Sequence, residues 1–438
     1  MNNRQKAEQI FLEAVKSVLP EKLIRNYLSL KGSVLRIGTL NFRTEELENV
    51  YVIGAGKASA AMAHYVEIIL GDLITEGHVT VKYEHSCKLK RINVTEAGHP
   101  LPDESGFRAT SEILAIAEKA GERDLLLCLI SGGGSALMSD LPEELVAEEL
   151  IIVNNLLVRC GASIHEINTV RKHLSQVKGG QLAKCAWPAS VVSLILSDVI
   201  GNDLDVIASG PTVPDRSTFA DALMILEKYH LIPDLTVGVV RYIKDGIAGR
   251  HPETPKPGDP VFSRTTNILI GSNVTALEAA SRFTSDSGFE TYVVTNQMSG
   301  NTVEMAYDIV ETALKYKNDS SVKKPVCLLY GGETTLRVEG IGTGGRNQHM
   351  ALCAALRLQD TGGITFLAAG TDGTDGPTPV AGAVVDSDTV RHAISSGENP
   401  EKYLTDFDSY NFFRKIGGHI FTGPSFTNVM DIVVVLIE

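Results

Sequence analysis

Gly54-Ala55-Gly56-Lys57-Ala58 follows the apolar run Val50–Ile53 and opens a helical period over Ser59–Leu70. At such a junction the backbone amides and the positive end of the helix dipole face one point, and Lys57 adds a compact cation beside it. The chemistry this suits is anion binding, with Gly54 and Gly56 letting the backbone approach. It is not the P-loop spacing G-x-x-x-x-G-K-[ST], because Ala58 follows the lysine. A second run, Ser131-Gly132-Gly133-Gly134-Ser135, ends the apolar segment Leu125–Ile130. Three successive glycines cost backbone entropy that an ordinary turn does not demand. They can form a nest for a carboxylate or phosphate, flanked by two hydroxyls.

Carboxylates stand at two further strand ends. Asp198 follows the run Val191–Leu196, and Gly370-Thr371-Asp372-Gly373-Thr374-Asp375-Gly376 follows Ile364–Ala369. One or two carboxylates with substrate phosphates complete a Mg²⁺ site. Asp198 and Asp372 are therefore candidate ligands, with Thr371 and Asp375 as candidate phosphate contacts. Gly344-Gly345-Arg346-Asn347 opens a helical period over Arg346–Leu358. A cation in a first helical turn opposes the dipole, so Arg346 reads as a planar clamp for a bound anion, with Asn347 beside it. Each string alone could be a tight turn between strand and helix; their recurrence is what points to a ligand.

The elements that must position these loops follow one scheme: a short apolar run, glycines and small polar residues, then a helical period. That is the signature of βα units in a doubly wound parallel sheet. With 438 residues the chain exceeds the size at which one core keeps growing. Two domains are expected: a Rossmann-like domain over 1–250 and a smaller α/β domain over 261–438. The Pro/Gly-rich stretch Gly246–Pro260 is the expected linker.

Composition closes other options. The net charge of −13, without a long basic run, repels nucleic acid. Six cysteines without a C-x-x-C pair suit free thiols in a reducing compartment. The N-terminal segment lacks the layout of a signal peptide, and no apolar run has membrane-spanning length. A cytoplasmic protein is expected, acting on small molecules without nucleic-acid or membrane partners; a homo-oligomer is left open. Gly340–Gly345 matches G-x-G-x-x-G, but the segment before it is short and charged, and no acid ends the next strand where a ribose contact should sit. His99 and His173 have no metal-ligand spacing partner, and neither a G-x-S-x-G nor an H-E-x-x-H string occurs.

Taken together, GAGKA, EAGHPLPDE, SGGGSAL, NTVRKHLSQVKGGQLA, SDVIGNDLDVIASGPT, GGET, GTGGRNQ, GTDGTDGPTPVAGA and TGPSFTNVMD resemble the glycerate 2-kinases that carry a C-terminal MOFRL domain. The resemblance runs in order over nearly the whole chain. It implies ATP-dependent phosphorylation of D-glycerate at its 2-hydroxyl, with Mg²⁺, in a cleft between the two domains. It places the catalytic lysine at Lys57 and the phosphate-contacting arginine at Arg346. Ser131 to Ser135 would hold carboxylate or phosphate oxygens. Two departures stand out: His349 follows GGRNQ where relatives usually carry Glu, and TGPSF replaces the usual TGPTG or TGPTD. In the expected scheme Asp198 or Asp372 holds Mg²⁺, and a nearby carboxylate takes the hydroxyl proton. The rivals are a hydroxypyruvate/glycerate oxidoreductase using NAD(P)H and a non-catalytic sensor of nucleotide or sugar acid.

Overall fold

The computed structural model describes residues 1–140 and 142–438, which form two compact units, Leu23–Ile270 and Met1–Lys22 with Gly271–Glu438. In the first unit six strands form one sheet in the order Ile92–Ala97, Glu76–Lys82, Val50–Ala55, Leu125–Ile130, Ser190–Leu196, Thr265–Gly271. Counted along the chain this is third, second, first, fourth, fifth, sixth. The first five pair in parallel. Every residue of Val50–Ala55 and Leu125–Ile130 is buried, which is why these segments read as unbroken apolar runs rather than alternating ones. Strand order reverses between these two neighbours, and ligands of open α/β sheets bind outside the carboxyl ends of strands at such a switch point. Gly54 pairs with Leu129 and Ala55 with Ile130, so GAGKA and SGGGS leave the sheet side by side. A three-stranded antiparallel meander, Leu28–Lys31, Val34–Ile37 and Leu40–Arg43, precedes the sheet.

The second unit carries a mixed sheet in the order Glu290–Met298, Val326–Gly332, Asp431–Ile437, Ile364–Gly370, Gly382–Asp386, His419–Ile420. Only its first pairing is parallel; the other four are antiparallel. Val326–Gly332 keeps a parallel partner in Glu290–Met298, whereas Ile364–Gly370, expected in a parallel sheet, is antiparallel to both its neighbours. Strand Asp431–Ile437 inserts between Val326–Gly332 and Ile364–Gly370 and runs against both. Helix Arg346–Leu358 lies on this sheet with ten of its residues buried.

The boundary differs from the division at 250/261. Thr265–Gly271 is the sixth strand of the first sheet, and Gly246–Pro260 is a tied-down loop inside the first unit rather than a linker. Glu253 accepts from the Phe219 amide at 2.9 Å and lies 3.1 Å from His173 Nε2, and Thr254 donates to Asp215 at 2.9 Å. The opening helix Asn3–Ser17 belongs to the second unit. Its stripe Ala7, Ile10, Phe11, Ala14 is buried, and Arg4 pairs with Asp386 at 2.5 Å. Among the described residues no helix is long and apolar enough to cross a membrane.

The tied loop closes over a buried charge. Lys172, 2% exposed, contacts Asp205 and lies 3.4 Å from Asp215, itself 1% exposed. Removing one member of a buried pair strands the other, so Lys172→Met is expected to lower the unfolding free energy by about 3–5 kcal/mol. The reading is a lower urea midpoint at unchanged slope.

Candidate functional site

In the first unit the two glycine loops are stitched together. Lys57 N–H donates to the Gly132 carbonyl at 2.9 Å, and Ala58 N–H donates to Ser131 Oγ at 3.0 Å. Ser59 gives its proton to the Leu129 carbonyl at 3.0 Å, so in its 3.3 Å contact with Ser131 the proton comes from Ser131. The Ser131 hydroxyl, expected among the ligand contacts, is thus spent on joining the loops, and the residue is 1% exposed.

The glycines of SGGGS are required by what crowds them. A Cβ on Gly132 would overlap the Asp198 carboxylate; one on Gly133 would lie 2.9 Å from the His99 ring; one on Gly134 would lie 2.9 Å from Ala208 Cβ. Gly133 also has φ +82°, a conformation that side chains rarely adopt. The loop therefore gathers Lys57, His99 and Asp198 around itself. His99 was set aside in the sequence because it has no metal-ligand spacing partner, yet its ring packs on Gly133. Burial first, then Lys57 and Lys82, push its pKa down to about 4, so it is neutral near pH 7. The Lys57 ammonium forms no ion pair among the described residues. Gly132→Ala is expected to displace the Asp198 carboxylate; misplacement by about 1 Å costs on the order of 10²-fold in rate. Steady-state kinetics on a variant with unchanged circular dichroism checks it.

Ser135 faces a left-handed segment. Ala208, Ser209 and Gly210 have φ of 50°, 59° and 62°. They are clamped by Gly179 N–H on the Ser209 carbonyl at 2.9 Å and Gly180 N–H on the Gly210 carbonyl at 2.8 Å. Non-glycine residues there cost of order 1–3 kcal/mol each and persist where the surroundings impose them, commonly at functional sites. Ser135 Oγ lies 2.8 Å from Ser209 Oγ. Nearby, Lys178 donates to the Met138 carbonyl at 2.8 Å. Burial, outweighing the pull of Asp140, lowers its pKa to about 8.

The second unit holds the other candidates. Arg346 begins its helix, but the cation is answered by protein acids. Its guanidinium grips Asp431 at 2.6 and 3.0 Å and reaches Glu333 at 2.7 Å. Burial lowers its pKa, yet Asp431 and Glu333 outweigh this and raise it overall. The dipole argument for a bound anion at Arg346 thus has an internal answer, although 32% of the side chain stays exposed. Asp375, expected as a phosphate contact, is 2% exposed and caps the same helix. It accepts the Asn347 and Gln348 amides at 3.0 and 2.9 Å and the Gln348 side chain at 2.9 Å. Burial raises its pKa to about 6 despite these bonds. Asn347 spends its Nδ2 on Asp375 and Asp431. The Thr371 hydroxyl donates to the Met430 carbonyl at 2.7 Å and accepts from Val429 N–H at 2.9 Å, a structural tie in place of the expected ligand contact. Asp372 accepts from the Thr374 amide at 3.1 Å in a local turn and remains partly exposed. Asp431 and Glu333 stood inside the quoted motifs without a role. An acid heading the apolar strand DIVVVLI was the available signal. His349 stacks on Phe407 at 4.9 Å, and burial lowers its pKa to about 4, so a neutral ring fills that place. Gly340–Gly345 is irregular chain with Ile341 fully exposed and no strand leading in, unlike a dinucleotide loop.

No group of three or more His, Cys, Asp or Glu that could hold a metal occurs among the described residues. A hard cation would rely on one carboxylate, water and ligand oxygens, which is how Mg²⁺ is commonly held; Asp198 and Asp372 each fit that part.

Residues 6–244 match a domain-of-unknown-function family, DUF4147, and residues 326–431 match the MOFRL family. A D-glycerate 2-kinase of Thermotoga maritima is 40% identical over 98% of this chain and 97% of its own. The chain belongs to the MOFRL class of glycerate 2-kinases. A glycerate 2-kinase of Pyrococcus horikoshii is 40% identical over 100% of this chain and 98% of its own. The crystal structure of a glycerate kinase from Thermotoga maritima superposes with a TM-score of 0.88 at 39% identity, covering 99% of both chains. The MOFRL match falls within the second unit and the DUF4147 match largely within the first.

Proposed function

We propose that this glycerate 2-kinase transfers the γ-phosphoryl group of ATP to the 2-hydroxyl of D-glycerate, giving 2-phosphoglycerate and ADP. The observation that carries the reading is the joining of GAGKA and SGGGS at the switch point, with Lys57 in no ion pair among the described residues and Asp198 packed on the same loop. The hydroxyl oxygen forms the new P–O bond, the bond to the ADP oxygen breaks, and the hydroxyl proton leaves. Such transfer asks for positioning and charge compensation more than covalent chemistry. Lys57 supplies a cation at the opening of Ser59–Leu70, where backbone amides also favour anionic oxygens. Arg346, held in one orientation by Asp431, presents its exposed edge to phosphate oxygens. The Asp198 carboxylate is the proton acceptor nearest the glycine loop. Mg²⁺, when bound through Asp198 or Asp372, would neutralise the β- and γ-phosphate oxygens. Six free thiols suit a cytoplasmic setting.

Incubating the protein with D-glycerate, ATP and Mg²⁺ and reading the product by ³¹P NMR tests this. A 2-phosphoglycerate signal supports it. Consumption of NAD(P)H with hydroxypyruvate, without any phosphorylated product, would replace it by the oxidoreductase reading.

A further inference from the structure

The proton inventory around Ser135 is fixed by buried groups behind it. Asn168 is 3% exposed and Ser209 0%. The Asn168 amide has its Nδ2 toward the Val206 carbonyl at 3.5 Å, an atom that only accepts, and this sets Oδ1 toward Ser209. Ser209 Oγ lies 2.9 Å from that Oδ1 and is the one donor on it among the described residues. Were the Ser209 proton turned elsewhere, two oxygens would face each other without a hydrogen in a buried site, which costs the desolvation of an unsatisfied acceptor. Ser209 therefore donates to Asn168. A hydroxyl has one proton, so the 2.8 Å contact between Ser135 and Ser209 is filled by the proton of Ser135.

Ser135 is then left with lone pairs only toward the partly exposed side of the loop. An anionic oxygen placed there meets no donor from this side chain. A hydroxyl does find an acceptor. The chain Ser135, Ser209, Asn168 ends in an amide and contains no titratable group, so it offers no sink for a proton. The hydroxyl it holds is one that keeps its proton through the reaction.

We propose that Ser135 accepts a hydrogen bond from the non-reacting 3-hydroxyl of the hydroxy acid, with Ser209 and Asn168 as positioning residues that fix its polarity. This rests on glycerate being the acceptor substrate, and it moves Ser135 out of the carboxylate-binding role that the family resemblance implied.

D-Lactate supplies the control, since it keeps the carboxylate and 2-hydroxyl but has a methyl group in place of the hydroxymethyl. In Ser135→Ala, KM for D-glycerate is expected to rise at least about 10-fold, as for loss of a bond made to bound substrate, with kcat little changed. The Ki of D-lactate, measured as a competitive inhibitor, should stay within about 3-fold of wild type. Ser209→Ala frees the Ser135 proton to turn outward, and the ratio of lactate Ki to glycerate KM should fall there too, although Ser209 touches no substrate. Parallel weakening of both ligands in both variants, or no change in either, overturns the assignment while leaving the kinase reading intact. A wild-type protein inert toward D-glycerate overturns the kinase reading and this inference with it.

Discussion

Lys57→Met loses catalysis while keeping its fold. The lysine stem lies along Gly133, and methionine preserves that length and apolar packing while deleting the charge. The backbone bond from residue 57 to the Gly132 carbonyl is indifferent to the side chain, so the two glycine loops stay joined. What disappears is a cation beside the loop that forms no ion pair among the described residues. Charge compensation that matters only as the phosphoryl group moves is worth on the order of 10²–10³ in kcat per group. The expected result is a kcat lower by about that factor, KM for glycerate within a few-fold, and an unchanged melting temperature. Lys57→Arg should restore only part, because a planar fork does not replace a compact ammonium at a helix opening. An unchanged kcat in Lys57→Met would remove Lys57 from the mechanism.

Arg346→Ala is expected to damage stability as well as turnover. Asp431 is 1% exposed and Asp375 2%, and Asn347 bonds to both carboxylates. The guanidinium is the cation that makes this pair tolerable. Deleting it leaves a buried acid unpaired, a loss of about 3–5 kcal/mol. The pH dependence has a definite sign. Burial, and then the Asp431 charge, raise the Asp375 pKa from 3.8 to about 6, so the folded state binds more protons than the unfolded between those values. The contribution of this carboxyl to unfolding free energy therefore falls as pH rises through that window. Without Arg346 the penalty on the charged form grows, so the gap between variant and wild type should narrow as pH drops from 7 toward about 5. Urea titrations at two pH values measure it; a gap that widens on acidification would contradict the account.

The strands that carry the loops were readable because burial on both faces leaves unbroken apolar runs, as in Leu125–Ile130. Helices Ser59–Leu70 and Arg346–Leu358 were readable from their period and glycine openings. Glu76–Lys82 was not, since EGHVTVK buries His78 and Thr80 in place of aliphatic residues. Asp375 shows a deeper limit. An acid after a glycine looks the same whether it caps a helix or meets a phosphate, and the deciding partners, Asn347 and Gln348, lie 28 and 27 positions away. The counter-ion of Arg346 sits 85 residues downstream. The proton order at Ser135 depends on Asn168 and Ser209, 41 positions apart, which only the folded chain brings together.

The helix Asn3–Ser17 has a consequence for biosynthesis. Its partners, helix Asn273–Asp286, Asp386 and the Thr427 hydroxyl that bonds the Val18 carbonyl, are all translated long after it. At ribosomal rates of about 5–20 residues per second, the roughly 250 intervening residues take on the order of 10–50 s to emerge. Throughout that interval the apolar stripe Ala7, Ile10, Phe11, Ala14 waits while the Leu23–Ile270 unit can already fold behind it. The segment is made early and housed late, so its apolar stripe stays uncovered until the strands and helices of its own unit have been made.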